Sequence, residues 1–416
     1  MSEPITPAMG RPPRGAGEHS RSWLAAAGIA VAAFLAALTL VGRADAAPLS
    51  TADQEFVDST VAAAMSAEKT PGLSISISGP AGEYSKAYGW ARMGLILNSM
   101  QLADHVRIGS VTKTLTATAI LQQIELGNLS YSDTLDEFVS GIEYGNEITV
   151  RDLLDMQSGV YEFESDPAFQ AAVVANPAMQ WEPEDTVNSI REHEPEFKPG
   201  EYVHYNESNY VLLGLILEDV TGETAEAAIT KDVINPLGLT QTSLPAPTAA
   251  EPAPTKMPEP FAHGYNRYVF GFPTDTTNFN ARIAWTMGGI VSTVGDLATW
   301  GHALGTGALL GAETFAERTQ FCGAGAWTYG GPTEFGYGLG LMSLGNWVGH
   351  PGSVPGFSAA TFYEPETGAE ITVVENLQSP TVAAFSNVFE KIAAHLYPES
   401  METPEYPESP ACPPAL

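Results

Sequence analysis

Ser110 and Lys113 lie three positions apart in Arg107-Ile108-Gly109-Ser110-Val111-Thr112-Lys113, and residues at that spacing share one face of a helix. The apolar run Val111, Leu115, Ala119, Leu121 and Ile124, closed by Gly127-Asn128, predicts a helix that opens at Ser110. A serine hydroxyl is a poor nucleophile until a base takes its proton. A lysine in the first turn, beside the positive end of the helix macrodipole, is pushed toward the neutral amine that can do so. Ser66-Ala67-Glu68-Lys69 has the same spacing, but it ends a helical stretch just before Pro71-Gly72. Position at a helix start therefore favours Ser110, although the local pattern alone equally fits a helix N-cap.

Two later segments carry further groups. In Tyr205-Asn206-Glu207-Ser208-Asn209-Tyr210, preceded by Pro199-Gly200, an extended backbone turns Tyr205 and Glu207 to the same side. In Gly349-His350-Pro351-Gly352-Ser353 a strand-like run reaches a glycine that lets a substrate backbone approach closely. Taken singly, each has an ordinary alternative. Tyr205 fits a partly buried tyrosine, His350 a solvent-facing strand end, and Gly352 a bulge.

The elements that must position these segments are legible in outline. Thr51 to Ala67 has helical spacing, and strand-like runs follow at Gly72 to Ser78 and Glu83 to Ala91 around the turn Gly79-Pro80-Ala81-Gly82. Short helical patterns and loops fill Thr149 to Asp296, including a helix over Tyr210 to Val220 and a proline-bearing loop over Pro245 to Pro260. Strand-like runs return at Gly336 to Ser343, Asn346 to His350, Phe357 to Tyr363 and Ala369 to Glu375, before a helix over Val382 to Leu396. Strands at both ends with helices between them predict an α/β (α+β) fold. One antiparallel sheet is formed from N- and C-terminal strands and flanked by helices, with a mostly helical inserted subdomain at about 142–296. The Pro- and Glu-rich tail, 397–416, is expected to be poorly ordered.

With 416 residues, 44% of them hydrophobic, the chain can bury a large core. A formal net charge of −31 argues against nucleic acid as a partner and against adhesion to anionic lipid. Residues 1–46 read as a signal peptide or signal anchor. Arg11, Arg14 and Arg21 precede an apolar stretch from Trp23 to Gly42, and Ala44-Asp45-Ala46 is a small-residue cleavage site. The body, 47–396, is thus expected to be secreted or extracytoplasmic, and membrane-bound only where the leader is uncleaved. Cys322 and Cys412, the two cysteines, are compatible with one disulfide or with two thiols. No metal is expected: His-Glu-x-x-His is absent and the eight histidines are scattered.

Taken together, these segments resemble the penicillin-recognising serine hydrolases, in the branch of class C β-lactamases, D-alanyl-D-alanine carboxypeptidases and related esterases. Ser110 and Lys113 match the family's Ser-x-x-Lys, Tyr205-Asn206-Glu207 its Tyr-x-Asn, and His350-Pro351-Gly352 its Lys/His-x-Gly. Ile148 to Leu154 running into Ser158-Gly159, and Gly288 to Thr293 followed by Asp296-Leu297, also look like the family's segments. The likeness spans about Ser50 to Leu396. It implies a β-lactamase/transpeptidase-like fold, with Ser110 as the acylating nucleophile and Lys113 and Tyr205 sharing general-base and general-acid duty. It further implies an oxyanion hole from the backbone N–H groups of Ser110 and Ser353, and substrate contacts from Glu207, His350 and Gly352. No cofactor is implied. The expected substrate is a small molecule or peptide: a cell-wall stem peptide, a β-lactam or an ester.

Two departures bear on that expectation. Glu207 stands where the family has asparagine, and an ionised glutamate cannot donate a hydrogen bond to a substrate carbonyl. Beside Lys113 it would also favour the protonated amine, opposing its use as a base. Pro351 removes a hydroxyl and a backbone donor from the strand motif. These changes weigh against β-lactam hydrolysis more than against acyl-enzyme formation. A non-catalytic binding or regulatory relative is the rival from another class. An α/β-hydrolase fits poorly, because Gly356-Phe357-Ser358-Ala359-Ala360 lacks a helix behind its serine. Specificity is assigned to walls formed by loops Tyr161 to Trp181 and Thr242 to Tyr268.

Overall fold

The computed structural model describes residues 47–95, 97–267, 273–323, 335–378, 384–402 and 406. The expected leader, Tyr268, Val382, Cys412 and most of the tail lie outside these. Helix α1, Thr51–Glu68, is started by Ser50, whose hydroxyl accepts from the Asp53 N–H at 3.2 Å. Strands β1, Gly72–Ser78, and β2, Tyr84–Arg92, form a hairpin, and β3, Asn98–Ser99, adds its edge. After the helical middle of the chain come β4, Cys322–Gly323; β5, Gly336–Tyr337; β6, Met342–Leu344; β7, Trp347–Val354; β8, Phe357–Glu364; and β9, Ala369–Glu375. Their order in the nine-stranded sheet is β3-β2-β1-β9-β8-β7-β6-β5-β4. All the pairings are antiparallel, and the first and last strands of this sheet in chain order meet at β1–β9, where Leu73 opposes Glu375 and Ile77 opposes Ile371.

The middle of the sheet is buried on both faces, which is why β8 and β9 contain continuous buried runs rather than an alternation with solvent. On one face α1 and the C-terminal helix Ala384–Leu396 cover it. Val57 and Val61 pack there with Leu73, Ile75, Phe362, Ile371, Trp347, Phe389 and Ile392. On the other face lie the helices that carry the site. Here α2 is Thr112–Glu125, α3 is Ser208–Thr221, α4 is Ala281–Gly288 and α5 is Val294–Thr306. Helix α5 lies close on the sheet because Gly301 and Gly305 face Thr361 and Tyr363, where a Cβ would collide with both side chains.

The run expected as one strand over Gly336 to Ser343 is two, β5 and β6, separated by a turn in which Gly340 has φ +65°. Pro245 to Pro260 contains neither helix nor strand. The first residues of the expected poorly ordered tail are held in place instead. Pro398–Met401 forms a short 3-10 turn, and the buried Ser400 hydroxyl accepts from Trp347 Nε1 at 2.7 Å. Cys322 is disulfide-bonded. Among the described residues no helix is long and apolar enough to cross a membrane.

Phe389 is fully buried, edge-on to Trp347 at 5.3 Å between ring centroids and tilted against Phe362 at 4.6 Å. Truncation leaves a cavity between helix and sheet, so Phe389→Ala is expected to cost about 3–5 kcal/mol in a urea unfolding titration. A loss under about 1 kcal/mol would contradict the view that this helix clamps the sheet.

Candidate active site

Ser110 lies in a 3-10 turn, Gly109–Val111, and α2 begins after it at Thr112. The helix therefore starts slightly later than its periodicity predicts. A short strand, Val106–Arg107, feeds the turn, and Gly109 at φ +55° makes the reversal. Lys113 falls in the first turn of α2 and has no solvent exposure. Its ammonium donates to Ser110 Oγ at 3.1 Å, to the Met287 carbonyl at 2.8 Å, and to the Glu207 carboxylate.

The Met287 partner comes from a break in α4. Trp285 sits at φ 31°, ψ −125° inside the helix, a conformation costly for an L-residue. Its indole N–H donates to Glu226 at 2.9 Å, and Arg282 lies 4.8 Å over its ring. The break turns two carbonyls toward α2: Thr286 accepts from Thr116 Oγ1 at 2.7 Å, and Met287 accepts from Lys113.

Tyr205 and Glu207 alternate with residues that fasten their loop. Asn206 Nδ2 donates to the Val160 carbonyl at 2.7 Å. Ser208 Oγ donates to the Tyr161 carbonyl at 2.7 Å and accepts from the Phe163 N–H at 3.1 Å. With the even-numbered side chains turned into the protein, the odd-numbered pair meets Lys113, whose Nζ is 5.1 Å from the Tyr205 ring centroid. The Tyr205 hydroxyl is directed at that of Ser110. Burial and the neighbouring Glu207 carboxylate push the phenol well above its ordinary range, so it titrates as a proton donor and not as a phenolate near neutral pH.

Strand β7 brings the third segment. It pairs with β6 only as far as Gly349, and beyond that it keeps β8 alone. Pro351 therefore falls where β7 has a free edge, the setting in which a strand tolerates a missing N–H. Against that edge lies the Ser110 turn. A Cβ on Gly352 would sit 2.8 Å from Ser110 N, and one on Gly109 would sit 2.8 Å from Gly352 C and 2.9 Å from Ser353 C. Two glycines thus let the turn and the strand touch backbone to backbone.

His350, expected at the substrate, is instead fully buried. It lies behind Tyr205, with ring centroids 5.9 Å apart, and its Nε2 is 3.3 Å from the Tyr337 hydroxyl. Burial, reinforced by the positive charges of Lys113 and Arg318, lowers its pKa to about 3, so the ring is neutral. Its place is behind the tyrosine, as packing.

Sequence reasoning missed Glu162 and Glu164. Glu162 accepts a hydrogen bond from the Glu207 N–H. Burial and the charges of Glu207 and Glu164 raise it well above the carboxylate range. Burial and Glu207 raise Glu164 to about 8, with Lys113 opposing. Two glutamates after Ser158-Gly159 in a polar loop are too common a pattern to mark a site. Among the described residues no cluster of ligand side chains is suited to a metal ion. What the arrangement offers is a serine hydroxyl beside an ammonium, a neutral phenol, and a row of carboxylates at one wall.

The family model for Beta-lactamase matches residues 57–394. PbpX of Bacillus subtilis, named as a penicillin-binding protein, is 26% identical over 300 residues, covering 71% of this chain and 68% of that one. A protein of Escherichia coli O157:H7 named as a D-alanyl-D-alanine carboxypeptidase is 28% identical over 176 residues, covering 38% of this chain and only 39% of its own length. Among solved structures, a D-stereospecific amidohydrolase from Streptomyces sp. superposes with a TM-score of 0.70 at 28% identity, covering 82% of this chain and 97% of that one. The motif order, the sheet joined from both chain ends and the match over residues 57–394 lead to one assignment: the chain belongs to the β-lactamase family of serine hydrolases.

Proposed function

We propose that the protein is an exported serine hydrolase that cleaves an amide or ester through an acyl-Ser110 intermediate, in the manner of a D-alanyl-D-alanine carboxypeptidase or an esterase. The observation that carries this reading is the Ser110 hydroxyl 3.1 Å from the Lys113 ammonium nitrogen, with the Tyr205 phenol close to it. Ser110 Oγ attacks the substrate carbonyl, and the negative oxygen is held by the backbone N–H groups of Ser110 and Ser353. Tyr205 gives its proton to the leaving nitrogen or oxygen as the intermediate collapses. Water then releases the acyl group from the serine. The activities named for the carboxypeptidase and the D-stereospecific amidohydrolase favour an amide of a D-configured amino acid or a stem peptide, with small esters as the alternative. Glu207 in the asparagine position disfavours β-lactams as physiological substrates, because it accepts where the amide of asparagine would donate.

Mass spectrometry after treatment with a fluorophosphonate and with a penicillin tests the nucleophile. A fluorophosphonate adduct on Ser110 that disappears in Ser110→Ala is expected, with little or no penicilloyl adduct. Absence of any adduct on Ser110 from either reagent would leave the non-catalytic relative as the better reading. Tyr205→Phe keeps the ring packing and removes the proton donor, so kcat for an amide is expected to fall by about 10²–10⁴-fold. An activated ester, whose leaving group needs no proton, should suffer less. Equal losses on both substrates would contradict the assignment of Tyr205 to the leaving group.

A further inference from the structure

The Lys113 ammonium has three N–H bonds and three acceptors: Ser110 Oγ, the Met287 carbonyl and the Glu207 carboxylate. All its protons are engaged, and an ammonium carries no lone pair. In this arrangement the lysine cannot itself receive the serine proton. Of its three partners, the hydroxyl is the group to be activated and the carbonyl is a peptide oxygen. Only Glu207 is a base. We propose that Ser110, Lys113 and Glu207 form a proton relay in which Glu207, and not Lys113, is the terminal acceptor during acylation.

The protons balance as follows. Lys113 passes one proton to Glu207, leaving a neutral amine and a carboxylic acid. The amine takes the Ser110 proton as Oγ bonds to the substrate carbonyl carbon. The ammonium is restored, Glu207 is left protonated, and the tetrahedral oxygen carries the negative charge. As the carbon–leaving-group bond breaks, Tyr205 protonates the leaving group, and the proton held on Glu207 is the one that restores the phenol. An asparagine in the same place accepts from the lysine but takes up no proton, so this chain's departure from its family changes which atom is the base. The inference rests on Ser110 being the nucleophile.

The surroundings are arranged for this exchange. Glu207 is part-buried, with its side chain 18% exposed, while Lys113 is sealed. Facing Glu207 are Lys113 from α2, its neighbour Tyr205, Tyr210 from α3, Glu162 and Glu164 from the segment after Gly159, and Tyr337 from β5. Burial and charge keep the three tyrosines as phenols and push Glu162 well above the ordinary carboxylate range. His350 from β7, which faces the lysine, is neutral. Glu162 binds the Glu207 N–H and so orients the backbone that carries the acceptor.

The test is the pH dependence of fluorophosphonate labelling at Ser110 in wild type, Glu207→Gln and Glu207→Asp, with unfolding midpoints as the control for folding. Wild type should show an acidic limb, where protonation of the carboxylate stops the relay. Glu207→Gln should label at least about 100-fold more slowly at pH 7.5 and lose that limb. Glu207→Asp, which keeps a carboxylate on a shorter arm, should label slowly but retain the limb. An unchanged rate or an unchanged acidic limb in Glu207→Gln would overturn the relay while leaving the nucleophile intact. Failure of wild type to label would overturn both.

Discussion

The backbone contact between the Gly109–Ser110 turn and strand β7 at Gly352–Ser353 is the constraint on which the rest of the structure depends. Neither Gly109 nor Gly352 can carry a Cβ there without collision. It fixes the nucleophile's own N–H against a strand whose edge is left unpaired beyond Gly349. That strand is itself fixed, because β8 and β9 join it to the N-terminal hairpin and two terminal helices clamp the joined sheet. The long excursion from sheet to helices and back thus serves one local requirement: a turn and a strand, distant in sequence, brought into van der Waals contact at their peptides.

Around that contact the charges are arranged in a short series. The ammonium of Lys113 is neutralised by Glu207, and further carboxylates at Glu162 and Glu164 crowd the same wall. Part-buried carboxylates at such proximity oppose one another's ionisation, and Glu162 and Glu164 are both raised. A lysine paired with a carboxylate differs from one that stands alone beside the serine. On the proposed relay, the asparagine-to-glutamate departure is a change of chemistry, and not simply a lost substrate contact.

The sheet strands were legible because alternation and β-branched runs persist even where both faces are buried; β1 and β9 fall at the expected bounds. The Ser110 helix was legible from its apolar spacing, though Gly109 delays its start by a 3-10 turn. The alternation of Asn206 and Ser208 with Tyr205 and Glu207 was legible as a period of two. What was hidden was tertiary. The break at Trp285 that supplies the Met287 carbonyl, the burial of His350, and the approach of Glu162 to the Glu207 N–H leave no periodic trace, since each depends on a partner far away in the chain.

The account stands or falls on the turn–strand contact acting as an oxyanion hole, and a crystal structure of the Ser110 phosphonyl adduct measures it directly. The phosphonyl oxygen is predicted to lie about 2.7–3.1 Å from both Ser110 N and Ser353 N. An adduct whose oxygen points away from β7, with either N–H unengaged, would contradict it.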